Sequence, residues 1–179
     1  MENEALFSGT GALPPGYQAR VLTEADIPAA LALCEGNPLF YEYCPPRPSA
    51  ENLLADMSAL PPGRTMEDKH FLGLWRDEKL TALLDLVLGY PEEDTAWIGL
   101  FMTARESQGR GEGSALIGAV LRRLKELGYT RVGLAYAKGN PQSAAFWRKN
   151  GFHPTGREVP AEGYTAVVLE RELKYRKIM

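Results

Sequence analysis

The stretch Gln108-Gly109-Arg110-Gly111-Glu112-Gly113-Ser114 constrains this chain more than any other. It follows an apolar run, Trp97-Ile98-Gly99-Leu100-Phe101-Met102, and precedes Leu116, Ile117, Val120, Leu121 and Leu124, which recur at helical spacing. The local order is therefore strand, glycine loop, helix. A helix N-terminus offers unpaired backbone N–H groups and partial positive charge. Glycines remove the Cβ atoms that would keep an anion from those donors. The guest expected there is a phosphate or pyrophosphate. The competing reading is a glycine-rich turn without a ligand.

Three glycine-loop patterns compete for that guest. The nucleotide P-loop needs Lys after its last glycine, and Ser114 follows Gly113 here. The dinucleotide fingerprint needs a third small residue that Ser114 or Leu116 supplies poorly, and no βαβ unit opens the chain. The third pattern is Q-x-x-G-x-G at the end of a strand deep in the chain, and Gln108, Gly111 and Gly113 match it in full. It resembles the acyl-CoA pyrophosphate loop of the GNAT N-acetyltransferase superfamily.

Composition narrows the class. A chain of 179 residues, 45% hydrophobic and 24% charged, suits one globular domain with a substantial core. Net charge is −3 and no Lys/Arg block stands out, which argues against a nucleic-acid partner. Cys34 and Cys44 make neither a disulfide framework nor a metal site and read as reduced thiols, so no metal is expected. No apolar run is long enough to cross a bilayer, and Met1-Glu2-Asn3-Glu4 lacks a basic leader start; the expectation is a cytoplasmic protein with no membrane partner.

Residues 1–16 are small, polar and Pro/Gly-rich and are expected to form a flexible or loosely docked tail. Tyr17 to Leu22 reads as a first strand, followed by a helix that Thr23 and Asp26 open and Gly36 ends. Asn37 to Pro48 has aromatics and prolines without periodicity. It is either a plain connection or a lid in which Phe40, Tyr41 and Tyr43 contact substrate, and the lid is favoured. Ser49 caps a second helix. Strands at His70–Arg76, Lys79–Gly89 and Thr95–Thr103 form an antiparallel meander that feeds the glycine loop. The loop's helix stops at Gly128, and Arg131–Ala137 returns as a strand by a right-handed crossover. Asn140-Pro141 starts another helix that Asn150-Gly151 ends, and Phe152–Gly156 with Tyr164–Glu172 closes as a hairpin. A domain over 17–174 and a basic tail over 175–179 complete the chain. The order β-α-α-β-β-β-α-β-α-β-β is an α/β (α+β) arrangement on a mixed, mostly antiparallel sheet.

A second motif joins the first. In Asn140-Pro141-Gln142-Ser143-Ala144-Ala145-Phe146-Trp147-Arg148-Lys149-Asn150-Gly151-Phe152, the residues Asn140, Ser143, Phe146, Gly151 and Phe152 fall in register with the GNAT signature N-x-x-[AS]-x-x-[LF]-Y-x-x-x-G-F. The two motifs, in order and on the expected elements, carry the resemblance over most of the chain. It implies the GNAT fold, with splayed parallel strands Trp97–Thr103 and Arg131–Ala137 in the middle.

The resemblance also implies acetyl-CoA as acyl donor. Pantetheine would pair with backbone groups of Phe101, Met102 and Thr103, and a backbone N–H near Met102 would hold the oxyanion. Pyrophosphate would sit on Gln108, Gly109, Arg110, Gly111, Glu112, Gly113 and Ser114, with Asn140, Ser143 and Trp147 along the cofactor. Asn140 reads equally as a helix cap, and Phe146 more as core than ligand.

The chemistry expected is acetyl transfer to the primary amine of a small molecule by direct attack in a ternary complex. A protein N-terminus or lysine is the alternative acceptor, and a homodimer is one candidate assembly. An alkyl amine is neutral in only about one molecule in 2,500 at pH 7, so presenting it neutral costs about 4.6 kcal/mol. Here the chain departs from its relatives. Trp147 stands where the family carries its acidic Tyr, and Trp97 and Ala135 stand where some relatives carry a carboxylate base. Indole N–H is a donor only. Asp85, inside Ala82-Leu83-Leu84-Asp85-Leu86-Val87-Leu88, is the candidate base, or else a carboxylate bonded to a neighbour. Tyr136 is the second candidate; His70, Glu42 and a water relay are weaker. The departures leave open a non-catalytic acyl-CoA sensor, and a nicotinamide-binding oxidoreductase is a third class.

Overall fold

The computed structural model describes residues 6, 7 and 12–173. One seven-stranded sheet runs β1-β2-β3-β4-β5-β7-β6. The strands are β1 Tyr17–Val21, β2 Lys69–Arg76, β3 Lys79–Leu88, β4 Thr95–Thr103, β5 Arg131–Ala137, β6 His153–Ala161 and β7 Tyr164–Glu172. Only β4 and β5 pair in parallel; the other neighbours are antiparallel. Helices α1 Ile27–Glu35, α2 Pro38–Tyr43, α3 Ala50–Asp56, α4 Glu112–Glu126 and α5 Pro141–Lys149 complete the order. No helix among the described residues is long and apolar enough to cross a membrane.

Alternation along the strands divides the core between two faces. Leu72, Leu74, Leu84 and Leu86 point to one face and pack with α4 through Leu116, Ile117, Val120 and Leu124. Phe71, Leu83 and Met102 point to the other and pack with Leu33 and Cys34 of α1 and Leu53 of α3. Each large apolar side chain buried this way contributes about 1.5–3 kcal/mol. Helix α4 ends as its sequence dictates. Gly128 takes φ +97°, and its N–H and that of Tyr129 donate to the carbonyls of Lys125 and Leu124 at 3.0 and 3.1 Å.

Three expectations are corrected. The stretch expected as a loose tail places Leu6, Phe7 and Leu13 in the core on the α4 face, and the Leu6 carbonyl accepts from Arg123 Nε at 2.6 Å. Burial of these apolar side chains outweighs the entropy of fixing a Pro/Gly-rich segment. The rest of residues 1–11, and the basic 174–179, lie outside the described residues. The segment expected to be irregular contains α2, a turn and a half that Pro38 pre-organises and that is too short to show a period. Strand β6 runs well beyond Gly156, because a bulge between Pro154 and Glu158 lets it resume pairing with β7.

Candidate active site

Strands β4 and β5 pair from Thr95↔Arg131 to Ile98↔Leu134 and no further. The departure starts at Gly99. Asp85 lies opposite Leu100 and Leu86 opposite Ile98, so Gly99 is the extra residue of a bulge on β4. The bulge bends β4 away from β5. A Cβ at Gly99 would lie 2.7 Å from Asp85 Oδ2, so the carboxylate fills the place of a side chain there. Beyond the bulge the β5-side edge of Leu100–Met102 has no strand partner, and it lines a cavity of about 390 Å³.

One end of that cavity is the mouth of α4. Gly109 and Gly111 both take φ +79°, which L side chains rarely adopt, with open space around each. Gly113 instead faces Phe146, whose ring edge lies 3.2 Å from the Cβ position. All three glycines and Ser114 line the cavity. Helix α5 forms the adjoining wall. Asn140 Oδ1 accepts from the N–H groups of Gln142 and Ser143 at 3.1 and 3.2 Å, so this buried side chain is a cap. Ser143, Phe146 and Trp147 line the cavity; Asn140 does not. Trp147 is 7% exposed and packs edge-on against Phe101, Phe146 and Phe152.

The loop is held by a polar network legible only in part from sequence. Gln108 Nε2 donates to Asn37 Oδ1 at 2.6 Å and to the Thr103 carbonyl at 3.1 Å. Asn37 Nδ2 donates to the same carbonyl at 3.0 Å, and Gln142 Nε2 donates to Gln108 Oε1 at 3.3 Å. The Gln108 side chain therefore fastens the loop to β4 and to the start of α2. The Thr103 carbonyl, expected to be free for a ligand, already accepts two hydrogen bonds. Asn37 is a site residue that sequence reasoning misses; its signal is the Asn-Pro pair that precedes α2.

Other expected site residues scatter. Glu112 turns away from the cavity, accepting from Tyr17 Oη at 2.9 Å and pairing with Arg76 at 3.4 Å. Arg110 is exposed beside the loop and does not line the cavity. At the far end, Phe40, Cys44, Tyr136 and Tyr164 line the cavity, and Tyr41 and Tyr43 do not. Tyr41 packs into the α1–α3 core, and burial raises its phenol, with Cys34 as hydrogen-bond partner. Tyr43 lies against the turn at Gly139, 3.5 Å from its Cβ position, and Pro45 against the turn at Gly163. The segment after α1 thus spans the cavity's far end from β5 to the β6–β7 turn.

Asp85 does not line the cavity among the described residues. Lys69 Nζ sits 2.9 Å from each carboxylate oxygen, with side-chain exposures of 2% and 14% for Lys69 and Asp85. Burial pushes the Asp85 carboxyl up, and Lys69 opposes that shift. Of the two sequence readings for Asp85, the geometry fits the carboxylate bonded to a neighbour. His70 is buried on the opposite face of β2 and does not reach the cavity.

The profile described as "Acetyltransferase (GNAT) family" matches residues 35–152. The chain belongs to the GNAT acetyltransferase family. With the family come acetyl-CoA as acyl donor and N-acetyltransferase activity, as the two motifs implied. Solved structures share this GNAT fold. An acetyltransferase from Thermus thermophilus is 24% identical at TM-score 0.66, covering 87% of this chain and 96% of that one. PaiA N-acetyltransferase from Thermoplasma acidophilum, in complex with coenzyme A, is 19% identical at TM-score 0.63, covering 87% and 98%. The ribosomal-protein-S18-alanine N-acetyltransferase from Escherichia coli is 16% identical at TM-score 0.63, covering 91% and 98%. None of the curated proteins compared matches this GNAT chain.

Proposed function

We propose that this GNAT enzyme transfers acetyl from acetyl-CoA to the primary amine of a small molecule, by direct attack with both substrates bound. The observation that carries this reading is the continuity of one cavity. It runs from the glycines at the mouth of α4, through the gap between β4 and β5, to Phe40, Cys44 and Tyr164. Donor and acceptor therefore have room in one chamber, which converts a bimolecular encounter into a reaction within a complex.

Bound acetyl-CoA supplies an activated thioester. The residues present fit it. Backbone N–H groups at Gly111–Ser114 take the pyrophosphate, with the helix dipole behind them and Arg110 outside. The unpartnered edge at Phe101 and Met102 takes the pantetheine amides, and an N–H near Met102 holds the carbonyl oxygen as charge grows on it. Ser143 and Trp147 wall the pantetheine, and Asn140 keeps the helix start that carries them.

The segment after α1 lies across the far end, against the turns at Gly139 and Gly163, which supports a small acceptor over a folded protein surface. Cys44 is the one thiol on the cavity wall among the described residues, so transfer through an acetylated Cys44 is the rival route. Burial pushes that thiol up, away from the nucleophilic thiolate. Initial-rate kinetics test the proposal. Intersecting double-reciprocal lines fit direct attack; parallel lines with acetyl trapped on Cys44 would sink it.

A further inference from the structure

The titratable groups that face the cavity come from four elements. They are Cys44 after α2, Tyr136 on β5, Tyr164 on β7 and Lys149 on α5. No carboxylate and no imidazole lines it among the described residues. The one formal charge on its wall is therefore a cation. Phenols and thiols ordinarily ionise at about 10 and 8.5. Burial pushes the Tyr164 phenol and the Cys44 thiol further up, and the two are hydrogen-bond partners. Two partly buried carboxylates lie behind the wall without lining it. Asp85 is paired with the buried Lys69. Asp56 on α3, whose carboxyl burial raises and whose charge acts on Cys44 through the wall, does not itself line the cavity.

Among the described residues, a wall so lined holds no group that is a base at pH 7 and no anion to attract an alkylammonium. The cavity does carry three aromatic side chains, Phe40, Tyr136 and Tyr164, on its wall. We infer that the acceptor is an amine already largely neutral near pH 7, carried on an aromatic or similarly apolar body, and that the enzyme supplies no base of its own.

This rests on the reading of the cavity as the acetyl-transfer site. In the transfer, the amine nitrogen forms the bond to the acetyl carbonyl carbon, the carbon–sulfur bond breaks, and the electron pair leaves on sulfur. The proton shed by nitrogen goes to solvent or to the departing thiolate. Protonation thus sets the rate through the amine alone. At pH 7 an α-amino group is neutral in about one molecule in ten, and an alkyl amine in about one in 2,500, a difference of about 250-fold.

The test uses the full chain, acetyl-CoA and amines on one aromatic body: aniline, phenylalaninamide and phenethylamine, with putrescine as a dication. Coenzyme A released is followed against pH, and acetyl-CoA binding is measured separately by calorimetry. At pH 7, kcat/KM for phenylalaninamide or aniline should exceed that for phenethylamine at least tenfold. The gap to phenethylamine should close as pH rises, with each ascending limb set by the amine's own pKa. A limb at one pH shared by all amines would reveal an enzyme base and overturn the inference. So would phenethylamine or putrescine as the best acceptor at pH 7, or acetyl-CoA binding with no turnover of any of the four. Absence of acetyl-CoA binding would instead remove the reading of the site on which the inference rests.

Discussion

Lys69 Nζ contacts both oxygens of Asp85 at 2.9 Å, directly behind the bulge where β4 leaves β5. Only Oδ2 meets the amine in hydrogen-bond alignment; Oδ1 is equally near but out of line, and buried. The carboxylate occupies the space a side chain at Gly99 would need. Asp85, which the sequence leaves as either a base or a carboxylate bonded to a neighbour, is held in the fold by Lys69 behind the split strand.

Breaking a buried pair from one side strands the other charge, at a cost of about 3–5 kcal/mol. Lys69→Met should therefore lower unfolding free energy by about 3 kcal/mol in urea, and Asp85→Asn in the same background should recover part of it. Asp85→Asn alone should leave the pH profile of kcat/KM in place. A shift of the ascending limb in that variant would return Asp85 to the chemistry.

Gly99→Ala tests the bulge directly. Its Cβ would meet the fixed carboxylate at 2.7 Å, so the variant should lose about 1–3 kcal/mol of stability. Thermal melts of Gly99→Ala and Gly99→Ala/Asp85→Ala decide the cause. Relief of the loss in the double variant is expected if the clash is with Asp85.

At the loop, Gly111 has open space around it, so Gly111→Ala meets no clash; its cost is the left-handed backbone, about 1–2 kcal/mol. Acetyl-CoA affinity should fall about tenfold, equivalent to 1.4 kcal/mol. Calorimetry at fixed salt measures this, and unchanged affinity would place the pyrophosphate elsewhere.

Gln108 and Asn37 act as one unit through the 2.6 Å bond between them. Gln108→Ala and Asn37→Ala should each weaken acetyl-CoA binding, and together by less than the sum. A double-mutant cycle should give a coupling of about 0.5–3 kcal/mol. Strict additivity would show that the network does not set the loop.

His70 is 3% exposed, and its Nδ1 has no partner among the described residues. Burial lowers its pKa below the ordinary 6.5, with Asp68 opposing. The unfolded chain then binds this proton at a higher pH than the folded one. Stability attributable to His70 is complete above about pH 6.5 and is lost as pH falls from there toward the folded value. The melting temperature should drop between pH 7 and pH 5, and less so in His70→Gln. An equal drop in both proteins would assign the loss to other groups.

What could be read ahead of the fold was whatever depends on near neighbours in the chain. The glycine loop, the Asn140 cap, the Gly128 stop and the strand order follow from backbone preference and apolar period, which act over a few residues. That β4 and β5 would part came with the family resemblance; that they part at the Gly99 bulge did not. The short α2 was hidden because six residues carry no period. Leu6 and Phe7 were hidden because their packing partners lie over a hundred positions away on α4.

The glycine-loop half of the cavity, where we propose that the donor binds, was thus written in the sequence, since a left-handed backbone and a helix N-terminus are local features. The acceptor half was not. Whether Asp85 is a base or a strut, whether Tyr41 faces a substrate or the core, and which charges meet the amine all turn on distances between strands and helices remote in the chain. A carboxylate's chemistry is set by what desolvates and pairs it, and only the folded sheet brings Lys69 to Asp85.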